Sequence, residues 1–177
     1  MGHALARTVA PSQTSGASQY LTFTLGSELY AVPIASIREV VEFHGLTEIP
    51  LTSPVVPGVL NLRGSVVPVI DLSARFGRPS SPIGRRTCVI VVETRVDDAR
   101  EALGVIVDSV SEALEVDESQ IEQRPAFGAG LRADFVAGML KLAGRFVVVL
   151  DLAQLLSIAE LEQLVTDSAL AAEGGNG

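Results

Sequence analysis

The stretch from Gly58 to Leu72, GVLNLRGSVVPVIDL, returns 80 residues later as GMLKLAGRFVVVLDL, from Gly138 to Leu152. Eight of the fifteen positions are identical, among them Gly58/Gly138, Gly64/Gly144 and Asp71/Asp151. A weaker echo pairs ELYAVPIASIREVVE, from Glu28, with EALGVIVDSVSEALE, from Glu101, at an offset of 73 and with five of fifteen identities. The order is the same in both halves. Two copies of a unit of about 70 residues, the second enlarged around Gln123 to Arg132, account for both offsets.

Each unit reads as short strands joined by tight turns. Tyr20 to Leu25 alternates Leu21, Phe23 and Leu25 with Thr22 and Thr24, a period of two that buries one face, and Gly26-Ser27 supplies the turn. Leu60 and Leu62 alternate with Asn61 and Arg63, which points Arg63 away from the leucine face; Gly64-Ser65 makes the hairpin turn, and Val67, Val69 and Ile70 form the return strand. Pro68, lacking an N–H, suits an edge or a bulge. Asp71 and Asp151 each precede a short helical stretch as an N-capping carboxylate would. The first stretch stops at Gly77, and Arg75 to Arg86 reads as a linker between the units. Ile158 to Leu170, with Leu161, Leu164 and Val165 on one stripe, reads as an amphipathic closing helix. Units this small cannot hold open sheets, so the expected class is mainly β: two small tandem barrels packed together, with short helices.

The 177 residues suit one ordinary domain or two very small ones. Apolar residues make up 47%, yet aromatics only 5% and Trp none, so Val, Leu, Ile and Ala must fill the core. Met1 to Ser18, rich in Thr, Ser, Gln and Gly, reads as a flexible leader, and 173–177 as a tail. The ordered domain is expected over 19–172: a first subdomain at about 19–84, a second at about 85–157 and the closing helix at 158–172. A net charge of −8 argues against nucleic acid, whose phosphates need a basic face. No apolar run approaches the ~18 residues of a spanning helix. Without an export signal, and with the single Cys88 read as a small buried thiol, a cytoplasmic location is expected.

Chemistry is hard to find. His3, His44 and Cys88 share no metal-ligand spacing, and Asp117, Glu118 and Glu122 lack the pattern of a calcium loop. Asp71 and Asp151 could pair as a carboxylate dyad in an acid-dependent hydrolase, but leucines follow them where such a dyad places Thr or Ser and Gly. No Ser or Cys has a sequence context suggesting a paired His, and neither a phosphate loop nor a dinucleotide fingerprint is present, so no catalytic residue and no cofactor is expected. A regulatory ligand in the groove between the barrels is a further alternative. What remains is surface. Glu39 matches Glu112 in the second unit, whereas Arg63 matches Ala143, so the unit does not require Arg63 to fold. Arg63 could form an exposed ion pair with Glu39 or serve recognition.

The segments YLTFTLGSELYAVPIASIREVVE, PGVLNLRGSVVPVIDLSARFG, LGVIVDSVSEALEV and GMLKLAGRFVVVLDLAQLL together resemble the CheW family of chemotaxis coupling proteins, over nearly all of Tyr20 to Leu156. The most specific block is Gly58 to Gly64. The resemblance implies two SH3-like five-stranded β-barrel subdomains sharing a hydrophobic core. It also implies a non-enzymatic adaptor joining the regulatory domain of the histidine kinase CheA to the cytoplasmic tips of chemoreceptors, in arrays that include other CheW copies, without insertion into the membrane. Receptor or kinase contact positions carry over to Ile37, Glu39, Gly58, Arg63, Gly104 and Val110.

Overall fold

The computed structural model describes residues 17–48, 53–96, 98–123 and 133–157. His3 and most of the expected leader, the bulk of the second-unit insertion, the closing helix and the tail lie outside the described residues. Alternating apolar residues form β1 (Ala17–Leu25), β2 (Glu28–Pro33), β3 (Ile37–Glu42), β4 (Thr47–Glu48), β5 (Gly58–Leu62) and β6 (Ser65–Asp71), followed by the single-turn helix α1 (Leu72–Arg75). The second half gives β7 (Cys88–Val96), β8 (Ala99–Val107), β9 (Ser109–Asp117), β10 (Val136–Leu142), β11 (Arg145–Leu150) and α2 (Leu152–Leu155). The described fold begins two residues earlier than expected, with Ala17 and Ser18 paired to Asp117 and Val116.

The class is the expected one, mainly β in two sheets, but the sheets do not divide the chain at residue 84. One has the order β10-β11-β2-β1-β9 and the other β3-β7-β8-β6-β5-β4. Each therefore takes the first hairpin of one repeat and the later strands of the other. The exchange is reciprocal down to register: Val69 lies opposite Gly104 and Val149 opposite Ala31, pairs of equivalent residues in parallel strands. Sequence similarity locates the repeats but is silent on which copy a hairpin pairs with, hence the misplaced boundary. The second sheet also carries β4 as a sixth, two-residue strand.

Three apolar clusters explain the composition. Tyr20, Ala31, Val116, Leu140, Val147 and Val149 come from every strand of the first sheet and fill its interior. Val67, Val69, Val89, Val91 and Ile106, with Val41, Leu60 and Leu62 against them, do the same for the second. Between the two lies a shared core that includes Phe23, Tyr30, Ile70, Ile90, Val92, Val105, Phe135 and Leu150. In β7 the assignment alternates residue by residue, Val89 and Val91 to a barrel interior and Ile90 and Val92 to the shared core. A strand with two buried faces must be apolar throughout.

Local chemistry sets the turns and helix starts. Arg63 (φ 49°) and Gly64 (φ 90°) form the two-residue β5–β6 turn, as Ala143 (φ 50°) and Gly144 (φ 81°) do between β10 and β11. Two positive φ values match the strand twist. The turn is thus Arg63-Gly64, not Gly64-Ser65: Ser65 already pairs with Leu62, so Arg63 sits at the tip rather than within a strand. Asp71 Oδ1 accepts from Ala74 N–H at 3.2 Å and Asp151 Oδ1 from Gln154 N–H at 3.3 Å, the expected caps.

Two arginines assigned to a linker are structural. Arg75 is buried; its Nε–H donates to the Leu155 carbonyl at 2.8 Å and its guanidinium lies 4.6 Å from the centroid of the Phe135 ring. Arg78 donates to Glu28 Oε1 at 2.8 Å and to the Tyr30 hydroxyl at 3.3 Å. Their counterpart acids and carbonyls come from other elements, which a search for neighbouring acids along the chain does not reach.

Candidate functional site

β3 is an edge strand of the six-stranded sheet, and a bulge between Ile37 and Glu39 shifts its pairing, Ile37 facing Val92 and Glu39 facing Val91. The β5–β6 hairpin stands near the other end of the sheet order. Where the sheet curls back on itself, the Arg63 Nη2 donates to Glu39 Oε2 in an ion pair that ties the two ends together. Glu39 is largely covered, with 23% of its side chain exposed, while Arg63 at the turn tip remains 72% exposed. The hydrogen bond to Glu39 raises the Arg63 guanidinium pKa, so the arginine keeps its charge at any physiological pH.

The other inferred contact residues separate into two groups. Gly58 and Gly104 are buried in the same sheet and serve packing. A Cβ on Gly104 would meet Val89 Cγ1 at 2.7 Å and Val69 Cγ2 at 3.1 Å, and one on Gly58 would run into the Thr47 carbonyl oxygen. Ile37 and Val110 are equivalent residues of the two repeats, half-buried against the shared core. Val110 faces Phe23 from the five-stranded sheet as Ile37 faces Val92 from the six-stranded one. The structure thus brings Glu39 and Arg63 together, sets Gly58 and Gly104 in the same sheet, and leaves Val110 in the other.

Two surface residues were missed. Val40, beside Glu39, is 41% exposed and Val66, three residues after Arg63, is 66% exposed. The signal for Val66 was available: its repeat counterpart Phe146 is apolar and equally open, and inward Val67 places position 66 outward. Cys88 is half-buried rather than buried, pairs across from Glu42, and donates from Sγ to the Arg86 carbonyl at 3.2 Å. Burial, with the Glu42 charge, pushes its thiol pKa up.

Among the described residues no group of three or more His, Cys, Asp or Glu is placed to hold a metal. Between the sheets a void of about 10 Å³, lined by Phe23, Val32, Val92, Leu150 and other apolar side chains, is too small for a regulatory ligand.

A family model described as the CheW-like domain matches residues 19–160. The chain belongs to the CheW-like family. It is 33% identical to the chemotaxis protein CheW of Klebsiella aerogenes, over 81% of this chain and 84% of that one. It is 34% identical to the probable chemotaxis protein CheW of Rhizobium etli, over 85% and 95%. The crystal structure of the scaffolding protein TtCheW from Thermoanaerobacter tengcongensis superposes with a TM-score of 0.72 at 32% identity, covering 82% of this chain and 91% of that chain. Membership in the CheW-like family and the caps together remove the hydrolase alternative, because Asp71 and Asp151 each accept from their own single-turn helix instead of facing one another as a dyad. No helix among the described residues is long and apolar enough to cross a membrane.

Proposed function

We propose that this CheW-like chain is a non-enzymatic cytoplasmic adaptor that couples chemoreceptor tips to the regulatory domain of the histidine kinase CheA within an array, alongside other CheW copies. The reading is supported by the family and by the names of its relatives. The observation that carries it in this molecule is the Arg63–Glu39 pair. The second repeat builds the same turn with Ala143 in place of Arg63, so the fold does not need a cation there. An exposed guanidinium that the fold can do without, anchored by a largely covered carboxylate and flanked by exposed Val40 and Val66, has the make-up of an interface anchor. Ile37, Gly58 and Gly104 act in this reading by shaping strands of the same sheet, while Val110 acts from the other sheet.

The test is a reconstituted assay of receptor, kinase and this chain. Arg63→Glu is expected to leave the melting curve unchanged and to weaken receptor control of kinase activity; unchanged control with a normal melting curve overturns the role of Arg63. Recovery of neither a histidine kinase nor coiled-coil receptors in a pull-down from the native cytoplasm overturns the adaptor reading itself.

A further inference from the structure

The stretch from Leu72 to Val92 carries Arg75, Arg78, Arg85 and Arg86 and no acid, in a chain whose net charge is −8. The fold uses two of the four, Arg75 on the Leu155 carbonyl and Arg78 on Glu28 and Tyr30. Arg85 and Arg86 are exposed, and their guanidinium groups have no acidic partner among the described residues. Glu42, which faces Cys88 across the β3–β7 ladder, has its carboxylate 3.4 Å from His44 Nε2 instead.

The loop that presents these arginines is held. Ser81 Oγ lies 2.9 Å from Ser73 Oγ in α1. Gly84 N–H donates to Thr87 Oγ1 at 2.8 Å, and Thr87 N–H returns a bond to the Gly84 carbonyl at 3.3 Å. Thr87 is buried, and its carbonyl accepts from Phe43 N–H at 3.1 Å, just past the end of β3. The turn over 84–87 is thus closed on itself and pinned to the sheet, with Arg85 and Arg86 at its tip. Beside it Ile83 is 57% exposed.

These features select one kind of partner. Two free guanidinium groups are strong donors to carboxylates. A patch whose sign is opposite to that of the whole chain draws an acidic segment to this loop and away from the rest of the surface. The open isoleucine calls for an apolar side chain alongside the acids, and a loop already fixed loses little freedom on binding. We propose that the loop from Ile83 to Arg86 is a docking surface for an acidic, apolar segment of another protein, whose apolar side chain covers Ile83 while its carboxylates meet Arg85 and Arg86. The inference stands apart from the adaptor reading, since neither kinase nor receptor enters its test.

The probe is a synthetic helical peptide of Glu, Ala and Leu with its leucines on one face, titrated into the full-length chain. Binding is expected, weaker at higher salt, with amide shift changes centred on residues 83–86. Arg85→Glu with Arg86→Glu should weaken it about tenfold or more and should gain binding to the same peptide carrying Lys for Glu, which the unaltered chain refuses. Ile83→Ser should weaken the leucine peptide but not a version with Gln for Leu. Absence of binding, equal binding by the double arginine variant, or shift changes centred elsewhere overturns the proposal. So does self-association of the chain that the double arginine variant abolishes, which assigns the loop to a second copy.

Discussion

The Arg75 Nε–H donates to the carbonyl of Leu155, and Leu155 is the residue that stands at Arg75's own position in the second repeat. The pseudo-twofold relationship is broken here: one copy carries an arginine, the other a fully buried leucine, and the first binds the backbone of the second. The guanidinium also covers the Phe135 ring. A sequence that kept leucine in both copies would leave the Leu155 carbonyl without this donor.

Arg75→Leu is therefore expected to destabilise the fold by about 1–3 kcal/mol, the cost of leaving a buried acceptor unpaired. Urea unfolding reads the change. Arg75→Lys should recover only part of it, since a single ammonium cannot reproduce the planar contact with Phe135 while reaching the Leu155 carbonyl.

Gly104→Ala should cost about 1–3 kcal/mol by overpacking against Val89 and Val69. The same substitution combined with Val89→Ala should cost less than the sum of the two alone, because the cavity admits the methyl group. Additive losses in thermal unfolding would show that Gly104 matters for something other than the space it leaves.

The two caps should differ. Asp71→Ala is expected to cost about 1–2 kcal/mol and Asp151→Ala about 0.5–1 kcal/mol, since Asp71 is buried and Asp151 only half so. Denaturant midpoints of the single variants give the comparison, with asparagine recovering most of each loss.

Alkaline stability should depend on Tyr30. Burial raises its pKa above the ordinary 10.0, opposed by the hydrogen bond from Arg78. The folded chain keeps the phenol proton where the unfolded chain begins to lose it. The contribution is thus full below pH 10 and declines as pH rises toward the folded value. Tyr30→Phe should make the fall in unfolding free energy above pH 10 shallower. Part of the slope should persist, because burial also raises Tyr20 and Cys88.

Much of this architecture was legible in the chain. The alternation in Tyr20 to Leu25, the aspartates ahead of two short helices and the repeated hairpin each follow from local rules, and local rules survive folding. The Arg63–Glu39 pair was open to inference because both residues lie in recognisable repeat blocks. What escaped were relations without local signature: β2 beside β11 instead of its own repeat's β6, and Arg75 reaching across 80 residues to a carbonyl. Backbone acceptors leave no mark on composition. The turn position slipped by one residue at Arg63 because left-handed backbone is expected of glycine, and here a non-glycine residue adopts it first.

The exchange of hairpins has a consequence for synthesis. The six-stranded barrel draws on β3 to β8 and can close once Val107 has left the ribosome, whereas Ala17 must wait for Asp117, and β2 for β11, before the first hairpin is housed. The earliest strands made are the last to find their sheet. During that interval Phe23, Tyr30 and Val32 lack the part of their shared core that Phe135, Leu150 and Leu155 supply, so the nascent chain is at its stickiest near its start, and premature termination before β9 yields one closed barrel preceded by an apolar hairpin with no sheet of its own.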